Sequence, residues 1–439
     1  MKAYARPFGL LLLALTVASA HGQASTPLPS DQQISDSYVY LLSRLLVLNQ
    51  EQADFAGGFQ WNRLVHRKVG EVDWPNPNLD VAYSEAWAAI DEKSCALVSV
   101  PKIEDRYYTV QFLNGWGETL ANLNERVFPQ HPDGEFAVCL KGAEVTLPPG
   151  TQRVDVSAKV LRVLSRVELG ANAEQAVALQ KQFVLRSSGQ PSLPEVPKTV
   201  RFDIEKLPGV EAFESAPLAL DSAADTNPGM QQLQASTRAI AKAIERSDAR
   251  RHVDQVIHEM ALPAIYKASP TLGDGTVKNG WALPSTIGVY GNNWLLRTLV
   301  NLGGIWANSY EEVVYYKAFI APDGKPLNGD HAYVLRFEKD QLPTLYATYF
   351  WSVIAVDSVH RRVLPNPQKR YLLSNFSPLS YGDDGSLSLY FSASKPANAP
   401  GSNWIPTPKG TGYSLTFRFY RPKGAVADRS YVPPALKEL

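Results

Sequence analysis

The sequence predicts a mainly β protein with an α-helical middle. Two long stretches alternate apolar and polar residues with period two, and the stretch between them repeats at helical spacing. The chain is also turn-rich, with 32 Pro and 29 Gly in 439 residues. That length suits two or three domains with sizeable cores. Apolar residues make up 45% and charged residues 20%, an ordinary balance for a folded protein. Lys+Arg and Asp+Glu stand equal at 43 each, so there is no basic excess to hold nucleic acid.

The first residues, "MKAYARPFGLLLLALTVASAHGQA", place Lys2 and Arg6 before an apolar run from Leu10 to Val17. Ala18-Ser19-Ala20 follows as a small-residue cleavage site. Residues 1–20 read as a signal peptide, with the mature chain starting near His21. An uncleaved N-terminal anchor is the alternative. The apolar run is too short to span a bilayer, and no later stretch is long and apolar enough. The expected location is the periplasm or the exterior. Export makes a Cys95–Cys139 disulfide plausible, since both lie in strand-like runs, "CALVSV" and "EFAVCL". Two separate buried thiols are the other reading.

Residues 30–60 read as one amphipathic helix. Ser30 and Gln33 form a capping box, and Ile34, Tyr38, Leu41, Leu42, Leu45 and Leu48 follow at helical spacing. Over 61–169 the period falls to two, in "YYTVQFL", "EFAVCL" and "AKVLRVLSRVEL", with turns at Pro132-Asp133-Gly134 and Pro148-Pro149-Gly150. This predicts a small β-sandwich. Residues 170–270 read as helical, with Asn172 as a cap and the last helix ending at Pro263. From 271 to 439 strands return: "VVYYKAFIA", "HAYVLRFEK", "LYATYFWSVIAVD", "GSLSLYFSA" and "YSLTFRFYRP". "LYATYFWSVIAVD" is apolar on both parities and reads as a strand covered on both faces. A larger sandwich, jelly-roll-like, fits this pattern.

Motifs that would name a chemistry are absent: no GxSxG, no GxGxxG after a strand, no P-loop and no CxxC. "HEMAL" at 258–262 starts like a zinc-protease motif, but Leu262 stands where the second His belongs. No metal and no cofactor are expected.

"PNPNLDVAYSEAW" followed by "RYYTVQFLNGWGETLANL" resembles the N-terminal module of two paired families of unknown function, DUF1254 and DUF1214. The matching positions are Pro77, Asn78, Asp80, Tyr83, Ser84, Arg106, Tyr107 and Tyr108. "DGKPLNGDHAYVLRF", "FWSV", "NPQKRYLLS", "DGSLSLYFS", "NWIPTPKGTGYSLTFRFYRP" and "YVPPALK" resemble the DUF1214 module, in order. The resemblance implies an Ig-like N-terminal sandwich, a helical section and a jelly-roll-like C-terminal sandwich. One departure stands out: "NERVFPQHPDG" replaces the Thr-Thr-Gly-rich stretch usual in the family.

Three constellations bear on function. Asn78 and Asp80, with Tyr83, form either a buried turn that sets a strand's entry or polar groups aimed into a cleft. In the C-terminal strands Leu387, Leu389, Phe391, Leu415, Phe417 and Phe419 read as core, while Arg336, Tyr390, Arg418 and Tyr420 occupy the opposite parity. That second face is either solvated or a concave polar surface for an anion or a ring. Trp404, stiffened by Pro406 and Pro408, either plugs the sandwich end or walls a pocket. The expected site joins Arg336, Tyr390, Trp404 and Arg418 in one concave region. The expected function is binding of a small or oligomeric polar ligand, such as a glycan or cell-envelope fragment. A hydrolase or lyase using Arg/Tyr/Asp chemistry is the alternative. A structural protein assembling as a homo-oligomer through sandwich faces is the third.

Overall fold

The computed structural model describes Met1, residues 28–71 and residues 77–439. Apart from Met1, the expected leader peptide lies outside the described residues, as do Pro75 and Asn76 of "PNPNLD". The architecture is two β-rich modules joined by a helical section.

Helix α1 (Asp31–Ala56) starts on the capping box: Gln33 N donates to Ser30 Oγ at 3.4 Å and Ser30 N donates to Gln33 Oε1 at 3.0 Å. From Ile34 to Leu48 nearly every residue is buried. A helix apolar around most of its circumference must be enclosed on several sides.

The first module contains β1 (Val65–His66), β2 (Val81–Ala89), β3 (Ala96–Val100), β4 (Tyr108–Leu113), β5 (Thr119–Leu123), β6 (Gly134–Leu140), β7 (Gln152–Val156) and β8 (Val160–Glu168). Helix α2 (Ala173–Gln180), capped by Asn172, and strand β9 (Val184–Ser187) complete it. Two sheets, ordered β1-β2-β8-β4-β5 and β7-β6-β3-β9, enclose one apolar core. The module therefore runs past residue 169: "KQFVL", read as helix, turns and supplies β9, whose Leu185 packs into that core. Cys95 and Cys139 sit opposite each other, because Ala96 pairs with Val138 on antiparallel strands. They form a disulfide with Cα atoms 4.4 Å apart.

The helical section holds α3 (Glu211–Glu214), α4 (Ala216–Ser222), α5 (Met230–Ala243), α6 (Ser247–Val256), α7 (Leu262–Ala268) and α8 (Trp294–Gly303). Pro263 does not end the helix. A π turn over Ile257–Ala261 restarts the backbone so that Pro263 falls in the first turn of α7, where its missing N–H is not needed. Helix α8 lies within the region read as wholly β. Its signal is short: Asn293 Oδ1 accepts from Leu296 N at 3.1 Å, and Leu296, Leu299 and Leu302 are buried at helical spacing. Leu299 and Leu302 join residues of α1 and of α3–α7 in a single cluster. The helices thus bury their apolar faces on α1 and on each other, forming a helical layer.

The second module has β10 (Thr276–Lys278), β11 (Trp281–Leu283), β12 (Val313–Ala318), β13 (Tyr333–Phe337), β14 (Trp351–Asp357), β15 (Leu372–Ser374), β16 (Leu387–Ser392), β17 (Trp404–Pro406), β18 (Tyr413–Tyr420) and β19 (Lys437–Glu438). Its sheets are ordered β10-β11-β12-β18-β14-β15 and β17-β16-β13-β19, with the largest apolar cluster between them. Strand β14 is an inner strand buried on both faces, as its double-parity pattern predicts.

Candidate functional site between the modules

Strand parity builds the site. On β8, Leu161, Val163 and Val167 fill the first module's core, which turns Arg162, Leu164 and Arg166 outward. On β18, Leu415, Phe417 and Phe419 fill the second core, which turns Thr416, Arg418 and Tyr420 outward. Neither outward face meets bulk water. They face one another, so Arg166, Arg418 and Tyr420 are only 3%, 2% and 0% exposed.

Direct contacts pin the two faces together. Asn78 Oδ1 accepts from Asp80 N at 2.8 Å, an Asx turn, while its amide donates to the Tyr420 hydroxyl. Ser352 Oγ donates to Asp80 Oδ2 at 2.6 Å, and Arg418 Nη1 lies 3.6 Å from the same oxygen. Burial raises the Asp80 carboxyl above its ordinary pKa, and Arg418 and Ser352 partly offset that. Arg166 donates to Gln111 Oε1 at 2.6 Å, to Asn308 Oδ1 at 3.2 Å and to Trp306 O at 2.8 Å.

Where the faces do not touch they leave a cavity of ≈ 150 Å³. Its apolar lining includes Leu299, Leu302, Ile305, Trp306 and Phe319. Its polar lining includes Asn78, Tyr83, Arg166, Tyr315, Lys317, Arg361 and Arg418. Ser269, Gly303, Asp357 and the exposed Ser358 also border it. Four lining side chains are basic and one, Asp357, is a carboxylate. Asp357 is occupied locally, accepting from the backbone of Val359 and Arg362. The Nε and Nη1 groups of Arg418 make no hydrogen bond among the described residues, and neither does the Trp306 indole N–H. A buried donor without a partner costs about 1–3 kcal/mol, so unmet donors around a cavity mark a place for a ligand's acceptors.

Lys317 is the most perturbed group here. Burial lowers its pKa from 10.5 to about 7, helped by the positive charges of Arg418 and Arg361. The lysine is partly buried and lines the cavity. Its Nζ lies 5.9 Å from the centroid of the Phe319 ring.

The backbone beside the cavity is strained. Ile305 and Trp306, directly after α8, have φ of 35° and 46°. A β-branched residue in that region is an outlier costing on the order of 1–3 kcal/mol. The Arg166 bond to Trp306 O and the burial of both side chains hold it there.

Of the residues singled out in the sequence, the structure brings together Asn78, Asp80, Tyr83, Arg418 and Tyr420. It sets Arg336, Tyr390 and Trp404 apart, because β13, β16 and β17 belong to the other sheet of the second module. Arg336 is exposed and paired with Glu338 at 3.1 Å and Asp384 at 2.6 Å. Trp404 lies not in a loop but on β17, 8% exposed, donating its indole N–H to Ser392 O at 3.0 Å. The expected concave region around these residues and Arg418 is therefore not formed. Sequence reading missed Arg166, Tyr315, Lys317 and Arg361. The same parity that exposed Arg418 was available for Lys317 in "VVYYKAFIA", whose alternate residues Val314, Tyr316 and Ala318 are core.

Two family models match the chain. DUF1254, described as a protein of unknown function, matches residues 61–187, and DUF1214, described the same way, matches residues 312–424. The chain belongs to the DUF1254/DUF1214 family. In this DUF1254/DUF1214 protein the cavity draws its walls from both modules and from α8 between them. No curated protein matches the chain. A crystal structure of a Vibrio parahaemolyticus protein shares the fold, with a TM-score of 0.63 at 18% identity over 93% of this chain and 99% of that one. An uncharacterized protein from Burkholderia cenocepacia has a TM-score of 0.46 at 13% identity, over 93% of this chain and 94% of that one.

Proposed function

We propose that the protein binds a small organic anion in the cavity between its modules, and that it does so after export. The observation that carries this reading is the buried Arg418 with its Nε and Nη1 groups unbonded, in a cavity lined by three arginines, one lysine and one occupied carboxylate. A carboxylate ligand supplies the missing acceptors and the missing negative charge together. The wall formed by Leu299, Leu302, Ile305 and Phe319 suits an apolar body. A cavity of ≈ 150 Å³ matches one that holds benzene, which favours a small molecule over an oligomeric glycan. The disulfide supports an oxidising compartment.

The test is mass spectrometry of molecules released on denaturing the purified protein, with thermal shifts for a panel of small carboxylates. Wild type should release an organic acid and gain stability with carboxylates carrying short apolar bodies. Arg418→Gln and the rim variant Arg361→Gln should lose that gain. No released acid and no carboxylate-specific shift in folded wild type would overturn the reading.

A further inference from the structure

The anion site explains the arginines but leaves Lys317 unexplained. Its strand neighbour on β18 is Thr416, and Arg418 lies diagonally across on the same sheet face. No hydrogen bond or ion pair holds its amine among the described residues. The charged and titratable groups sharing the cavity are Arg166, Arg361, Arg418, Asp357, Tyr83 and Tyr315. Helix α8 contributes only apolar residues and glycine to this wall. A lone amine packed beside two guanidinium groups, with the cavity's one carboxylate, Asp357, already held by backbone N–H groups, is a poor structural choice. It is the arrangement that keeps a lysine amine neutral and nucleophilic.

We infer that Lys317 forms an imine with a small 2-oxo acid whose carboxylate is held by Arg418. This rests on the anion site proposed above and names its ligand class. The neutral Nζ lone pair attacks the carbonyl carbon, and the carbonyl oxygen takes up a proton to give a carbinolamine. Nζ then releases its proton and the hydroxyl leaves as water, so amine and ketone give imine and one water. Tyr83 lines the same cavity and burial keeps its hydroxyl protonated, so it can pass its proton to the departing hydroxyl and take back the one that Nζ releases. Once protonated, the imine nitrogen draws electrons from C3, the carbon next to the imine carbon. The reaction class is therefore enamine formation or aldol-type cleavage at C3.

The experiment incubates the full-length protein with 2-oxoisovalerate and cyanoborohydride, which reduces imines to stable amines, and maps the modified lysine by mass spectrometry. The matched probe is 2-hydroxyisovalerate, which has the carboxylate and apolar body but no carbonyl. The expected result is one adduct, on Lys317, formed faster than on any surface lysine and suppressed by excess hydroxy acid. Lys317→Arg, which fills the position with a group that cannot form the imine, should carry no cavity adduct. Its melting temperature reports whether it has folded, and Lys317→Met serves as a second variant. Thermal stabilisation by the hydroxy acid with no preference for Lys317 in labelling would overturn the imine and leave the anion site standing. No stabilisation by either acid and no adduct on Lys317 would overturn both.

Discussion

Lys317 ties its chemistry to a cost in stability. Its amine titrates near pH 7 in the fold and near 10.5 when unfolded. Between those values the unfolded chain binds more protons, so stability rises with pH across this window. Below pH 7 both states are protonated and the cost of burying the charge is borne in full. Lys317→Met should therefore raise the melting temperature at pH 6 by a few degrees and flatten its rise between pH 7 and 10, as calorimetry across that range would show. Asp80 is the opposite case. Removing its carboxylate leaves Arg418 buried without a counter-charge, and Asp80→Ala should cost about 3–5 kcal/mol in denaturant unfolding. Arg336 sits on the surface with exposed partners, so Arg336→Ala should change stability by no more than about 0.5 kcal/mol. Trp404 is packed and bonded, and Trp404→Ala should cost about 3–5 kcal/mol. Both were drawn into the expected site, Arg336 by strand parity and Trp404 by its proline-stiffened segment, and only strand pairing shows that they do not belong there with Arg418.

At the scale of elements, period and capping were legible and partnership was not. The Ser30–Gln33 box, the Asn172 cap and the strands carrying Tyr108, Val138 and Leu164 all stand where the pattern puts them. The parity of "YSLTFRFYRP" correctly divided core Phe417 and Phe419 from Arg418 and Tyr420. It could not reveal that the second face would meet another sheet, because alternation reports two environments and not what fills the second. Helix α8 escaped because ten residues flanked by strand-like runs carry little periodic signal. Its cap is testable on its own: Asn293→Ala removes the acceptor for Leu296 N and should cost about 1 kcal/mol, read as a lower midpoint in urea. Because α8 leads through Gly304 into the strained Ile305–Trp306 step, that variant should weaken carboxylate binding as well.

At the scale of the whole molecule, α1 is separated in sequence from every helix it packs against. The cluster of α3–α8 closes around Tyr38, Leu41, Leu42 and Leu45 of α1. A fragment of residues 170–270 lacks both α1 and α8, so its circular dichroism should show no cooperative unfolding. The cavity has the same non-local origin. Asn78, Tyr83 and Arg166 come from one module, Trp306 from the turn after α8, and Lys317 and Arg418 from the other module. The site exists only when all three parts dock, which is why local sequence patterns pointed instead to the concentration of Arg, Tyr and Trp in the second module. The most direct test of this account is a crystal soaked with thiophene-2-carboxylate, whose sulfur scatters anomalously and whose size suits the cavity. The account predicts a sulfur peak against Leu299 and Ile305, with the carboxylate on Arg418. Clear density for the ligand elsewhere, with none between the modules, would contradict it.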